Sequence, residues 1–341
     1  MKTLFIVDDD LTNLSVTEDA LDDLYRVITL PSAGKMFLFL EKVIPDLILL
    51  DVLMPEMNGF EAIGKLKSHR AYSDIPVIFL TGSEDVAVEA DCFRLGAVDF
   101  IRKPFSEVVL LRRVATHLNI DGLIRERTAD LRRLQNGIIS VLANMLENRD
   151  KNTGGHTERT SQYIKALIGE MKSRGIYADE VKDWDVEFIA TSSLLHDVGK
   201  IAISDLILNK PDRLTNAELE LIKTHTSEGV RIIGEMISRA QGASFLQHAQ
   251  LFAGHHHERW DGQGYPHGLK GTAIPLEGRI MAVADVYDAM TSGRPYKEPV
   301  AHDSAVQLIA GEREKHFDPK LVDIFCDIHE KFREIKERQV V

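Results

Sequence analysis

The sequence predicts a two-domain chain: a doubly wound α/β unit on a five-stranded parallel sheet, then an all-α bundle, joined by a long helix. Three observations carry this. The chain has 341 residues, enough for two separate cores. Short apolar runs alternate with amphipathic segments from Thr3 to about Leu118. Beyond that point the periodicity is helical almost to the end.

In order, the first region reads LFIV, an amphipathic stretch from Leu11 to Leu24, DLILL, Phe60 to Leu66, PVIFL, Val86 to Leu95, VDFI and Glu107 to Leu118. Nearly all-apolar strands are buried on both faces, which favours a parallel sheet covered by helices. Ligands of such sheets bind beyond the carboxyl ends of the strands. After Leu118, Ile124, Leu131, Ile138 and Met145 recur at heptad spacing, with Leu134 and Val141 as a second row. That pattern predicts a coiled-coil seam and a homodimer through the linker helix. From about Ser140 the chain is helical, broken at NTGG, LNKPD, RWDGQGYPHGLKG and SGRPYKEP. The expected domains are 1–120, a linker over 121–145, and 146–341.

Composition narrows the partners. With 44% hydrophobic and 28% charged residues the chain is an ordinary globular one. A net charge of −12 argues against a DNA-tracking surface, so an anionic substrate needs locally gathered cations. Two separated cysteines suit a reducing compartment, and no apolar run approaches the roughly 20 residues that span a bilayer. A cytoplasmic protein without membrane insertion is expected.

Asp8, Asp9 and Asp10 follow the first strand, and Asp51 ends the third in LILLDVLMPEMNG. On a parallel sheet these strand ends adjoin, and crowded carboxylates call for a hard cation such as Mg²⁺. Thr81 and Lys103 end the fourth strand and follow the fifth, placing a hydroxyl and an ammonium at the same rim. Together they suit a carboxylate nucleophile that takes up a phosphoryl group. Asp10 reads as a solvated helix-start residue. Residues 3 to about 120 resemble a response-regulator receiver (CheY-like, flavodoxin-like fold). The resemblance implies Asp51 as phosphoacceptor, Asp8 and Asp9 with it at a Mg²⁺ site, and Thr81, Phe100 and Lys103 as the switch. It also implies a cognate sensor histidine kinase.

The second region holds histidines beside acids in TGGHTERT, LLHDVGKI, KTHTSEG, GHHHERWDG and VADVYDAM. Imidazoles with a carboxylate able to bridge two ions suit Fe, Mn, Ni or Zn. Two close ions clamp a scissile phosphate. HDVGK, then HHERWDGQGYP, then RIMAVADVYDAM resembles the HD-GYP subgroup of the HD phosphohydrolase superfamily. The resemblance implies a cyclic di-GMP phosphodiesterase with two divalent transition metals, Fe or Mn, with Ni also suited. It implies ligands His156, His196, Asp197, His225, His256, His257 and Asp285. His156, His196 and Asp285 would hold one ion, the other three histidines the second, and Asp197 both. His255 competes within the HHH run, where the pair directly before Glu258 is preferred.

Asn152 stands four residues before His156, where many family members carry a glutamate that ligates a third metal. An amide is the poorer ligand, so two ions are expected unless a neighbour such as Asp150 substitutes. Lys200, three residues after Asp197, is placed to meet a substrate phosphate. Gly262 and Gly264 permit sharp turns in the GYP segment, and Tyr265 can stack on a base. Arg294 and Lys297 supply local cations for a dinucleotide. Two other readings stay open: an HD phosphohydrolase of another (cyclic di)nucleotide, and a catalytically weak signalling module.

Overall fold

Five parallel strands in the order β2-β1-β3-β4-β5 form the sheet of the N-terminal unit. They are β1 (Thr3–Val7), β2 (Arg26–Leu30), β3 (Leu47–Asp51), β4 (Val77–Thr81) and β5 (Asp99–Arg102). Helices α1 (Leu11–Asp19), α2 (Ala33–Leu40), α3 (Gly59–Ser68), α4 (Val86–Arg94) and α5 (Glu107–Arg149) alternate with them. The computed structural model describes residues 1–82, 86–149, 155–239, 244–292 and 298–338. Two compact units, Met1–Leu131 and Arg132–Val341, divide the chain, and the division falls within α5.

Alternation along the central strands builds two apolar layers. Phe5, Val7, Ile48, Leu50, Val77 and Phe79 face one side, where Met36, Ile63 and Leu66 cover them. Leu4, Ile6, Leu47, Leu49, Ile78 and Leu80 face the other, against Leu14, Leu110, Val114 and Leu118. Each such side chain contributes on the order of 1.5–3 kcal/mol by leaving water.

Two local features differ from the sequence expectation. The first helix ends at Asp19 rather than running on towards Leu24, and RVITL forms β2, followed by α2. β2 lies at the sheet edge with a mostly half-buried pattern, so it lacks the all-apolar run that marks the central strands. The long joining helix is α5, which runs unbroken from the sheet-covering turns at Leu110, Val114 and Leu118 to Arg149.

The second unit is helical: α6 (His156–Arg174), α7 (Ala178–Val181), α8 (Val186–Ser193), α9 (Asp205–Leu208), α10 (Asn216–Lys223), α11 (His225–Arg239), α12 (Ser244–His255), α13 (Leu276–Thr291), α14 (His302–Gly311) and α15 (Pro319–Arg338). A 3-10 turn over Val198–Ala202 follows α8. Tyr163, Leu167, Ile280, Val283, Phe325 and Phe332 pack α6, α13 and α15 together. Ile139, Ala143, Leu195, Ile233, Leu246 and Ala253 form a second cluster. Among the described residues, no helix is long and apolar enough to cross a membrane.

Candidate metal centre and phosphoacceptor pocket

Strand register sets the first pocket. Val7 pairs with Leu50 and Asp51 with Leu80, so the residues ending β1, β3 and β4 fall in one row. Asp8, Asp9 and Asp51 come together as a group able to hold a cation. Lys103 Nζ lies 2.6 Å from both Asp8 Oδ2 and Asp51 Oδ1. Burial, with Asp8 and Asp9 adding to it, raises the Asp51 carboxyl although Lys103 opposes the shift. Thr81 is buried at the end of β4, and its carbonyl accepts the Lys103 N–H at 2.7 Å. Phe100 is half-buried with its ring edge-on to Phe93. Asp10 caps α1 by accepting from Thr12 N–H at 2.7 Å.

Two triads face each other in the helical unit. His156, His196 and Asp285 form one; His225, His256 and His257 form the other. Helix starts and ends deliver most of them: His156 opens α6, His225 opens α11, and His256 and His257 follow α12. His196 and Asp197 sit between α8 and the 3-10 turn. Gly199 allows the closeness of that turn to α11, since a Cβ there would lie 1.8 Å from the His225 carbonyl oxygen.

Backbone carbonyls fix three of the rings. The Nδ1–H groups of His196, His225 and His256 donate to Ser193, Ile222 and Phe252 carbonyls at 2.8, 2.7 and 2.9 Å. Each Nε2 is therefore a lone pair turned inward, the tautomer a metal requires. His225 Nε2 and His256 Nε2 stand 3.2 Å apart with no proton to share, and His196 Nε2 is buried without a hydrogen-bond partner. A tetrahedral ion about 2.0–2.1 Å from two imidazole nitrogens spaces them about 3.3 Å apart, so the residues present fit such a group. Burial, then the neighbouring His257 and His225, hold His256 well below its ordinary value, and burial takes His257 to about 4. These rings stay neutral and ready to ligate.

Asp197 stands between the triads. Its Oδ2 is 3.4 Å from His196 Nε2, while Oδ1 is 3.5 Å from His225 Nε2 and 3.9 Å from His256 Nε2. Burial opposes its ionisation, yet Lys200 and His196 hold the carboxyl well below the usual range. Lys200 Nζ lies 2.8 Å from Asp197 Oδ2.

The GYP segment is tied to the same place. Tyr265 N–H donates to the His257 carbonyl at 3.2 Å, and the two rings stack 4.7 Å apart. A Cβ on Gly264 would lie 2.4 Å from Arg259 N, so only glycine admits this fold-back. Buried Glu258 accepts from His267 N–H and Leu269 N–H at 2.8 and 2.9 Å. His255 turns away from the triads towards His267. Asp150, Asn152, Arg294 and Lys297 lie outside the described residues.

Several site residues escaped the sequence reading. Asp288 accepts from His156 Nδ1 at 2.8 Å and is gripped by Arg159 at 2.6 and 2.8 Å. This contact and the Asp285 charge raise His156 against the depressing effect of burial. Spacing of three after Asp285 on α13 was the available signal. Glu147 and Arg149, at the end of α5, carried none, because their partners are distant in sequence. Arg149 donates to the Lys200, Ile201 and Ile203 carbonyls at 3.4, 3.1 and 2.9 Å, around the turn that carries Lys200.

Comparison with known proteins places both units. Residues 4–115 match the response regulator receiver domain and residues 140–321 the HD domain. A protein named probable cyclic di-GMP phosphodiesterase from Vibrio cholerae serotype O1 is 38% identical over 98% of this chain and 80% of its own length. The cyclic di-GMP phosphodiesterase response regulator RpfG of Xanthomonas campestris pv. campestris is 35% identical over 94% of this chain and 86% of its own. A 3'3'-cGAMP-specific phosphodiesterase 2, also from Vibrio cholerae, is 36% identical over 61% of this chain and 37% of its own.

Proposed function

The chain belongs to the family that joins a response-regulator receiver to an HD domain, and on that premise we propose that its helical unit hydrolyses cyclic di-GMP under control of phosphorylation at Asp51. The products would be linear pGpG, and GMP after a second cut. One observation carries the reading: a single carboxylate, Asp197, presents one oxygen to each of two ligand triads.

The ligands of one ion would be His156, His196 and Asp285, those of the other His225, His256 and His257, with Asp197 shared. Iron or manganese suits this imidazole-rich set, and nickel also fits it. Such a pair supplies Lewis acidity that activates a water and offsets charge on the scissile phosphate. The residues of the chain do the rest. Carbonyl-fixed imidazoles keep the ligand geometry without reorganisation, and Lys200 offers an ammonium beside the bridging carboxylate for a phosphate oxygen. Tyr265, held on His257, offers a flat face to a guanine base beside Gly264. Arg294 and Lys297 are proposed to contact phosphate and guanine.

In the receiver, Asp51 would attack the phosphoryl group delivered by a sensor histidine kinase, with Mg²⁺ on Asp8, Asp9 and Asp51. Lys103 and Thr81 would then donate to the new oxygens, and Phe100 would follow Thr81. The heptad residues of α5 support a dimer through this helix, since Ile124, Leu131, Ile138 and Met145 are 52–67% exposed. The cGAMP-specific relative favours one second reading, another cyclic dinucleotide as substrate.

The test is anaerobic purification, metal counting, and incubation with cyclic di-GMP and with 3'3'-cGAMP, following products by chromatography. About two ions per chain and conversion of cyclic di-GMP are expected, both lost in His196→Ala and Asp197→Ala. Full turnover in either variant would refute the site. Asp51→Asn should leave the metals in place and abolish the response to phosphorylation.

A further inference from the structure

Outside the HD centre, three ligand-type side chains meet where α14 begins and α15 passes. His302 opens α14, while His329 and Glu330 lie on α15. His302 Nε2 is 2.9 Å from His329 Nδ1, and Glu330 Oε1 is 3.6 Å from that same Nδ1. Both imidazoles are half-buried and Glu330 is exposed, so the cluster opens to solvent on one side. Buried Tyr287, on α13 between Asp285 and Asp288, has its Oη 2.8 Å from His302 Nδ1.

We propose that His302, His329 and Glu330 form a second, auxiliary site for one divalent transition ion of the zinc class. Two imidazoles and one carboxylate are the donor set that such ions prefer, and solvent can complete the coordination. The nitrogens need to separate only from 2.9 Å to about 3.3 Å to span a tetrahedral ion. In the ion-free cluster one ring proton lies between His302 Nε2 and His329 Nδ1. The ion takes its place when that proton moves to His302 Nδ1 and is donated to Tyr287 Oη, so no proton is gained or lost. Tyr287 then orients the ligating ring from behind, the role an outer hydrogen-bond partner plays at metal sites.

Charge supports the same assignment. Glu330 Oε2 is paired with Arg333, which leaves Oε1 on the His329 side. An ion here would tie the start of α14 to α15, just after the segment that carries Arg294 and Lys297.

Zn²⁺ titrated into the full-length protein, with its HD-centre metals counted beforehand, tests the proposal by calorimetry and elemental analysis. One further equivalent should bind. The His302→Gln, His329→Gln double variant should lose it, and Glu330→Gln, changed at an exposed position, should bind about tenfold more weakly. HD-centre metal content and zinc-free turnover should match the wild type in both variants, which also reports that they fold. Uptake of the extra ion unchanged in the double variant, or no uptake by the wild type beyond its HD-centre complement, overturns the assignment.

Discussion

The carboxylate of Glu147, near the end of α5, accepts the backbone N–H of His156 at 2.6 Å and the Thr157 hydroxyl at 2.7 Å. The first turn of α6, which opens on His156, is thus capped by the end of α5. Replacing Glu147 with alanine leaves two buried donors without this acceptor, at a cost of about 1–3 kcal/mol each. Chemical denaturation should report that loss, and metal analysis a weaker hold on the ion beside His156. Glu147→Gln keeps one acceptor oxygen and should lose less.

Asp288 orients His156 from behind. Outer partners of ligating histidines are worth about 10–100-fold in metal affinity. Asp288→Asn should therefore weaken one ion by that factor and spare the other, as competition with a chelator would resolve. Equal loss of both would place Asp288 in a general structural role.

Arg149 gathers the carbonyls around the Lys200 turn. Arg149→Lys cannot reproduce a planar fork of donors. Turnover should fall with metal content unchanged, and kcat should change more than KM. A variant with wild-type kcat would remove Arg149 from the positioning of Lys200.

Gly199→Ala would drive a Cβ into the His225 carbonyl at 1.8 Å and Gly229 N at 2.5 Å. Both obstacles are backbone, so relief requires the turn and α11 to part, at about 3 kcal/mol or more. Gly169, in α6, meets nothing within 4 Å, and Gly169→Ala should stabilise by about 0.4–1 kcal/mol. Thermal unfolding of the two variants gives opposite signs.

His316 is pushed down to about 4 by burial and the Arg259 charge. The folded state therefore binds fewer protons than the unfolded one between about 6.5 and about 4. Its stability contribution is present above that window and is lost as pH falls through it. Melting curves of wild type and His316→Gln across this range should converge in acid, relative to their separation at neutral pH.

The sequence by itself determined the order of elements and the chemistry available. All-apolar strands, helical periodicity after Leu118, the Asp51 strand end and the HD pair are local patterns, each imposed by neighbours along the chain. β2 was less legible because an edge strand is buried on fewer sides and its composition is mixed. What only the tertiary structure decided is convergence. His156 meets Asp288, Glu147 meets His156, Arg149 meets the Lys200 turn, and Asp197 stands between triads drawn from α6, α11, α13 and the residues that follow α8 and α12. These contacts join residues far apart in the chain, and their distances follow from how helices pack around buried apolar side chains. No spacing in the sequence encodes that packing. His255, His256 and His257 show the same division: the resemblance favours the pair before Glu258, and the turn after α12 is what groups those two with His225 while His255 faces His267.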